Sequence, residues 1–385
     1  MDNKVAGEFL EVPFFGFWKD LPRPIIGQAP MDGVTDFACR LITARHGRPD
    51  VLFTEFTTAT GLFFSPKRIL IDFEYSEEER PIVAQIYGNN PDDFYRATHV
   101  VCDLGFDGVD INMGCPAKSV AHKMCGAGLI RAPELAQNII RATQQAVIDW
   151  SRGQTLEDIQ TPRKVVDHVR KMNVFRTGLE NPAVRRMIPV SVKTRIGYDE
   201  PVVDSWISTI LAEKPAVLTI HGRTLKQMYK GFSSWEAIAR AVELAKGTGT
   251  LVFGNGDIQS LADTAQKISS TGVDGVLIGR SSIGNPWIFR HKDRLRLFLK
   301  GELEDALVDY PPNLQERFEL AWEHAKLYND SRGLKDFRAI RKHLIGYLSH
   351  MHEARTLRNQ TLQTKNLTEL AACLTSAGWK QEEGR

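Results

Sequence analysis

Gly108-Val109-Asp110-Ile111-Asn112-Met113-Gly114-Cys115-Pro116, residues 108–116, joins a short apolar run to a polar, glycine-containing turn. A parallel strand covered on both faces reads as such a run, and chemistry gathers where the strand ends. The pattern recurs along the chain. Apolar runs at Ile25 to Ala29, Val51 to Thr54, Ile82 to Tyr87, Val190 to Thr194, Val217 to His221, Leu251 to Asn255 and Gly275 to Gly279 bring the number of such strands to eight. Between them, Asp92 to Leu104, Pro133 to Trp150, Trp235 to Ala245 and Ser260 to Ser269 carry apolar residues near helical spacing. Eight strands alternating with helices predict an α/β chain, a (β/α)8 TIM barrel over residues 25–300.

Three segments stand outside that rhythm. Residues 1–24 form an N-terminal extension, and Ser151 to Met187 is a long, arginine-rich insertion between the fourth helix and the fifth strand. A connection of that kind lies at the rim away from the strand C-termini, so the insertion reads as a solvated excursion or a partner surface. After Pro311-Pro312 the strand signals stop, and helical patterns at Asn313 to Asp330, Lys335 to Glu353 and Leu362 to Ala377 predict a small all-helical C-terminal domain over residues 311–385.

Composition narrows the class. With 42% hydrophobic and 25% charged residues, the chain has the make-up of a globular protein rather than a disordered or membrane-embedded one. The net charge of +2 names no partner, so any nucleic-acid surface must be sought in local clusters of Lys and Arg. Met1 to Pro24 lacks the basic-then-apolar pattern of a secretory signal, and no apolar run approaches the roughly 20 residues of a membrane span. The five cysteines (Cys39, Cys102, Cys115, Cys125 and Cys373) are scattered without zinc-like spacing. A cytoplasmic, reduced, metal-free monomer away from membranes is the expectation.

The strand ends carry the candidate chemistry. Cys115 falls at the mouth of the expected pocket, where a thiol acts either as nucleophile or, being protonated at neutral pH, as proton donor. Cys39 and Cys102 lie within amphipathic helices and read as core residues; Cys125 follows no strand and reads as structural. Asn255-Gly256-Asp257 and Gly279-Arg280 end the seventh and eighth strands, where barrels often bind phosphate, and Arg280 has the forked geometry for it. Lys193 ends the fifth strand and faces either an electron-rich ligand, for which a flavin ring is one fit, or a buried carboxylate such as Asp110. His221 reads as a phosphate or ring-edge donor or as a core histidine, and Gln85 as an amide facing a pyrimidine-like edge.

Taken in order, these motifs resemble the dihydrouridine synthase family from Ala29 to about Leu348. The resemblance rests on Ala29-Pro30-Met31-Asp32-Gly33-Val34-Thr35-Asp36, on the Asn112 to Pro116 turn, and on Val192-Lys193-Thr194-Arg195, His221-Gly222-Arg223-Thr224, Asn255-Gly256-Asp257-Ile258 and Ile278-Gly279-Arg280. It implies a barrel that binds FMN, draws electrons from NADPH and saturates the C5–C6 bond of selected uridines in tRNA. In that reading Pro30, Met31, Asp32 and Gln85 line the flavin. Lys193 and His221 meet its ring and phosphate side, and Asn255, Gly256, Asp257, Gly279 and Arg280 hold the ribityl phosphate. Cys115 would be the general acid at C5, with Asn112 and Arg195 facing the substrate. Asp32 stands where relatives more often carry a small residue or a different acid, and the insertion lengthens a usually short connection; both bear on subfamily and so on which uridine is chosen.

The helical pattern Lys335 to Glu353 puts Phe337, Ile340, Leu344, Tyr347 and Met351 on one face and Lys335, Arg338, Arg341 and Lys342 largely on another. A charge run is by default a solvated face; the resemblance turns it into a candidate tRNA contact. Two rival readings are an FMN-dependent reductase of a free small molecule and a barrel that binds RNA without catalysis. The basic helix speaks against the first, and Cys115, Lys193 and Arg280 together speak against the second.

Overall fold

The computed structural model describes residues 12–303, 307–332, 337–349 and 354–380. Eight strands, β1 (Ile25–Gln28), β2 (Leu52–Thr58), β3 (Ile82–Tyr87), β4 (Gly108–Met113), β5 (Val190–Gly197), β6 (Val217–Thr224), β7 (Leu251–Asn255) and β8 (Gly275–Ile278), pair in parallel in the order β1-β8-β7-β6-β5-β4-β3-β2. The circuit closes between β1 and the lead into β2, where the Gln28 N–H donates to Val51 O at 3.2 Å and the Asp50 N–H to Ile26 O at 2.8 Å. This is the TIM barrel that the alternating runs predicted. Three strands extend past the expected ends, β2 to Thr58, β5 to Gly197 and β6 to Thr224, because polar residues at the rim continue the ladder after the apolar run stops.

Helices α1 (Phe37–His46), α2 (Pro91–Asp103), α3 (Pro133–Ser151), α4 (Arg163–Thr177), α5 (Val203–Leu211), α6 (Trp235–Ala245), α7 (Leu261–Thr271) and α8 (Lys292–Leu299) surround the sheet. Their starts are locally encoded: Asp36, Asn90, Ser234 and Ser260 each accept a backbone N–H from the first turn of α1, α2, α6 and α7. Inside the barrel, Phe53, Val83, Val217, Phe253 and Leu277 fill the lower layers. The end opposite the site is stoppered by the short helical turn Gly16–Lys19, whose Trp18 is buried and meets Phe253 edge-on at 5.5 Å. Part of the N-terminal extension is therefore a barrel plug.

The insertion is not a solvated excursion. Its helix α4 buries Val165, Val166, Val169 and Asn173 against the barrel wall. One end reaches the loop after β2, where Lys164 donates to Phe64 O at 3.1 Å, and the other reaches Leu104 O through Arg176 at 2.8 Å. The β2-to-β3 connection has only helical turns of three or four residues, Gly61–Phe64, Pro66–Ile69, Leu70–Phe73 and Glu77–Glu79, and α4 supplies apolar cover there from elsewhere in the chain.

The C-terminal region holds α9 (Leu314–Arg332), α10 (Phe337–Tyr347), α11 (Ala354–Gln363) and α12 (Leu367–Ser376). The expected single helix Leu362 to Ala377 is thus divided, because Asn366 caps a new start by accepting the Glu369 N–H. Lys335 lies outside the described residues. Phe318, Ile340, Leu344 and Tyr347 pack with Ala38 and Ile42 of α1 and with Trp287, so the helical domain shares a core with one side of the barrel. The join is close: a Cβ on Gly284 (φ +68°) would lie 2.3 Å from the Cα of Gly346 in α10.

Barrel closure also depends on Asp50, whose Oδ2 accepts the Ile26 N–H at 2.7 Å and pairs with the buried Arg296. Asp50→Ala leaves the Ile26 N–H without its acceptor and Arg296 with only Asp293 and Pro24 O, and a loss of about 1–3 kcal/mol is expected. Urea denaturation checks this: a midpoint equal to that of the unsubstituted protein would show the seam to be indifferent to Asp50.

Candidate active site

Parallel register sets the site. Gln85 lies beside Asp110, Asn112 beside Lys193, Arg195 beside His221, and His221 beside Asn255. One cavity of about 850 Å³ opens at the strand C-termini, and every barrel residue expected at the site lines it: Pro30, Met31, Asp32, Gln85, Asn112, Cys115, Lys193, Arg195, His221, Asn255, Gly256, Asp257, Gly279 and Arg280.

A chain of hydrogen bonds spans the floor. Ser191 donates to Asp110 Oδ1 at 2.6 Å, Gln85 Nε2 to Asp110 Oδ2 at 2.6 Å, and Asn112 Nδ2 to Gln85 Oε1 at 2.9 Å. Asn112 Oδ1 then accepts the N–H groups of Gly114 at 3.0 Å and Cys115 at 2.9 Å. Asn112 thereby fixes the turn that carries the thiol. Burial raises the Cys115 thiol pKa, assisted by Asp32 and opposed by the Ala117 N–H, Arg195 and Lys193. The thiol therefore stays protonated at neutral pH and is poised to donate. Cys125 packs beside it with Val120.

Lys193 donates to Asn255 Oδ1 at 3.2 Å and makes no ion pair among the described residues. Burial and then Arg195 lower its pKa to about 8, against the opposing pull of Asp110 and Cys115. The expected alternative, a direct pair with Asp110, does not form, and burial raises the Asp110 pKa to about 6. Burial, reinforced by Arg195, Lys193, Arg223 and Arg280, pushes His221 well below its ordinary range, so its ring is neutral. Arg195 is bound to protein carbonyls, with Nε to Gly114 O at 2.7 Å and Nη1 to Thr224 O at 3.1 Å.

At the last strand ends, Asp257 (φ +50°) turns its carboxylate toward protein groups. It accepts from Ser233 N at 2.8 Å, Arg223 Nη2 at 2.6 Å and Arg280 Nη2 at 2.8 Å. Burial alone would raise this carboxyl, but Ser233 and Arg223 hold it below the usual carboxylate range. Asp257 positions Arg280 at the cavity edge. On α10, Arg338 and Lys342 are exposed, whereas Arg341 donates twice to Thr364 O, at 3.1 and 2.6 Å. Lys342 Nζ comes 3.9 Å from where a Cβ on Gly33 would lie, beside the loop that carries Pro30 to Asp32.

Sequence reasoning missed Phe56, Met228 and Tyr229, and quoted Arg223 in its motif without giving it a role. Ending β2 at Thr54 hid Phe56, and the irregular loop after β6 has no periodicity to read. Also missed was the support of the first loop: buried Arg40 pairs with Glu79 at 2.7 Å and donates to Thr35 O at 2.8 Å, while Thr35 Oγ1 accepts the Met31 N–H at 2.9 Å.

Fold and cavity define a (β/α)8-barrel enzyme working at its strand C-terminal rim, with a neutral thiol and a cation-rich wall. The family model described as Dihydrouridine synthase (Dus) matches residues 27–150 and 162–381. A probable tRNA-dihydrouridine synthase of Staphylococcus aureus (strain MRSA252) is 32% identical over 368 residues, covering 93% of this chain and 94% of that protein. Probable tRNA-dihydrouridine synthase 2 of Bacillus subtilis (strain 168) is 32% identical over 365 residues, covering 93% of this chain and 95% of that protein. A solved variant of NCR from Zymomonas mobilis aligns with 80% of this chain and 97% of that one at 14% identity, with a TM-score of 0.42. The chain belongs to the dihydrouridine synthase family.

The depressed Lys193 pKa has a definite sign in the ligand-free protein. Its contribution to stability is present above the unfolded value near 10.4 and is lost as pH falls through about 8, at up to about 1.4 kcal/mol per pH unit. Lys193→Met removes that decline, so the variant gains on the unsubstituted protein at about pH 7 relative to about pH 10.5. Urea titrations at both pH values decide it; a constant difference would mean that the cation is not desolvated.

Proposed function

We propose that this protein is an FMN-dependent tRNA-dihydrouridine synthase, drawing electrons from NADPH to reduce uridine in tRNA to 5,6-dihydrouridine. The observation that carries the reading is the neutral Cys115 thiol in the same cavity as a cation-rich wall. The residues fit FMN. The volume lies within the roughly 300–1,000 Å³ of small-molecule and cofactor sites. Lys193 has no carboxylate partner among the described residues and suits a ring that gathers negative charge, and Arg280, held by Asp257, suits a phosphate. Gly256 (φ +122°) lets the β7 turn pass where a Cβ would meet Ser233 Oγ at 2.1 Å.

FMN, held by Lys193 on the ring side and Arg280 at the phosphate, would supply a hydride for uridine C6. Cys115 delivers the proton to C5, where negative charge gathers as C6 is reduced, and its burial keeps that proton in place until it is needed. Asn112 holds the acid's turn. Lys193 compensates negative charge at the wall, and Gln85, anchored by Asp110, keeps the floor polar. Arg195 serves from behind by clamping Gly114 O. A uridine in folded RNA reaches this depth only when swung out of its stack, and the RNA must be held while that happens. Arg338 and Lys342 of α10 hold its phosphates, and Arg341 braces the helix. Lys335 belongs to the same proposed set.

The test uses the flavin-loaded protein, NADPH and an unmodified tRNA transcript. Cys115→Ala is expected to slow dihydrouridine formation by about 10²–10⁴-fold while retaining the flavin absorbance. Full-rate modification by that variant would remove Cys115 from the acid role, and equal turnover of free uridine and tRNA would move the protein to the small-molecule reductases.

A further inference from the structure

The long connection before β5 presents an outward face that the catalytic reading leaves unused. Along α4, Lys164, His168, Lys171 and Phe175 follow one another at intervals of four, three and four residues and therefore share one side of the helix. Val165, Val166 and Val169 face the barrel, so this side looks outward; Lys164 and Lys171 are exposed, and Phe175 is 95% exposed. The loop after β2 adds to the same surface. Lys164 donates to Phe64 O, the Phe64 ring is 73% exposed, and His168 lies within the field of both Lys67 and Lys171.

Nearby acids do not neutralise this face. Asp167 is paired with Arg163 at 2.8 Å and Glu157 with Arg170, while Lys67 and Lys171 make no ion pair among the described residues. Exposed phenyl rings set among cations that have no carboxylate partner match a polyanion bearing flat bases, whose phosphates the lysines can pair and whose bases the rings can stack. At 15 residues, α4 is about 22 Å long, enough to follow several phosphates. The Lys164 end of α4 meets the loop after β2, the strand whose Phe56 lines the cavity, and from there the helix runs down the barrel wall to Leu104 O.

We propose that α4 and the loop carrying Phe64 and Lys67 form a second tRNA-binding ridge on the barrel wall, which grips the phosphodiester backbone beyond the nucleotide inserted in the cavity. The proposal rests on the reading of the chain as a tRNA-modifying enzyme. It assigns substrate binding to two sides of the rim, the helical domain beside α1 and the ridge beside β2. The ridge acts on affinity and leaves the chemical step alone.

The experiment compares the flavin-loaded full-length protein with its Lys67→Glu/Lys171→Glu variant on one tRNA transcript across a salt series. The variant is expected to raise the tRNA KM by about tenfold or more with kcat within about twofold, and to make the salt dependence of affinity shallower by about one to two ions. Lys67→Gln/Lys171→Gln, milder on folding, is expected to follow in the same direction, and Phe64→Ser to raise KM by about fivefold or more through lost stacking. Unchanged KM and salt slope in the charge variants, with dihydrouridine still formed, would overturn the ridge and leave the enzymatic reading intact. An unsubstituted protein that neither binds nor reduces tRNA would overturn both. Retention on phosphatidylglycerol vesicles that is lost in the Glu variant, with tRNA KM unmoved, would reassign the face to a lipid surface and likewise overturn the proposal.

Discussion

A closed parallel barrel delivers every strand C-terminus to one rim, and that single constraint places side chains separated by hundreds of residues around one cavity. Closure has to be completed at the seam between β1 and the lead into β2, where the ladder is thinnest. Asp50 works there as a splice, accepting the Ile26 N–H and holding Arg296, which in turn donates to Pro24 O at 3.2 and 3.1 Å. With the circuit fixed, register pairs Gln85 with Asp110 and Asn112 with Lys193 without further design.

The cavity stores electrostatic cost. Lys193 is depressed to about 8 and Asp110 raised to about 6, and the two do not form an ion pair. A direct pair would lower that cost and leave nothing for a ligand to satisfy. Asp110 instead binds Ser191 and Gln85, and Asp257 binds Arg223 and Arg280, so the acids of the site organise donors. Cys115 and His221 are both held neutral by burial, the first able to give a proton and the second able to stand among cations without adding to their repulsion.

The helical domain is tied to the barrel by shared apolar packing and by charge. Arg45 of α1 pairs with Glu78 at 2.7 Å and with Glu323 of α9 at 3.0 Å, and the backbones of Gly284 and Gly346 meet where side chains would not fit. Such a joint fixes the exposed cations of α10 relative to the cavity mouth. On the neighbouring wall α4 completes cover that the β2-to-β3 connection does not provide, which explains how a connection far along the chain comes to lie beside the loop that follows β2.

Much of this was written in local pattern. Eight apolar runs of strand length, helix caps at Asp36, Asn90, Ser234 and Ser260, and polar groups at each strand end determined the barrel and the polar part of the cavity wall, because strand period and capping act over a few residues. The irregular loop after β6, the Trp18 plug, the Glu79–Arg40–Thr35 brace and the inward packing of α4 were decided by tertiary structure alone. Each depends on contacts between segments remote in sequence, and no local periodicity records them. The same distinction separates Arg341 from Arg338: composition makes them equal, but only the fold turns one guanidinium onto Thr364 O and leaves the other in water, since which carbonyl lies within reach is a property of the folded chain.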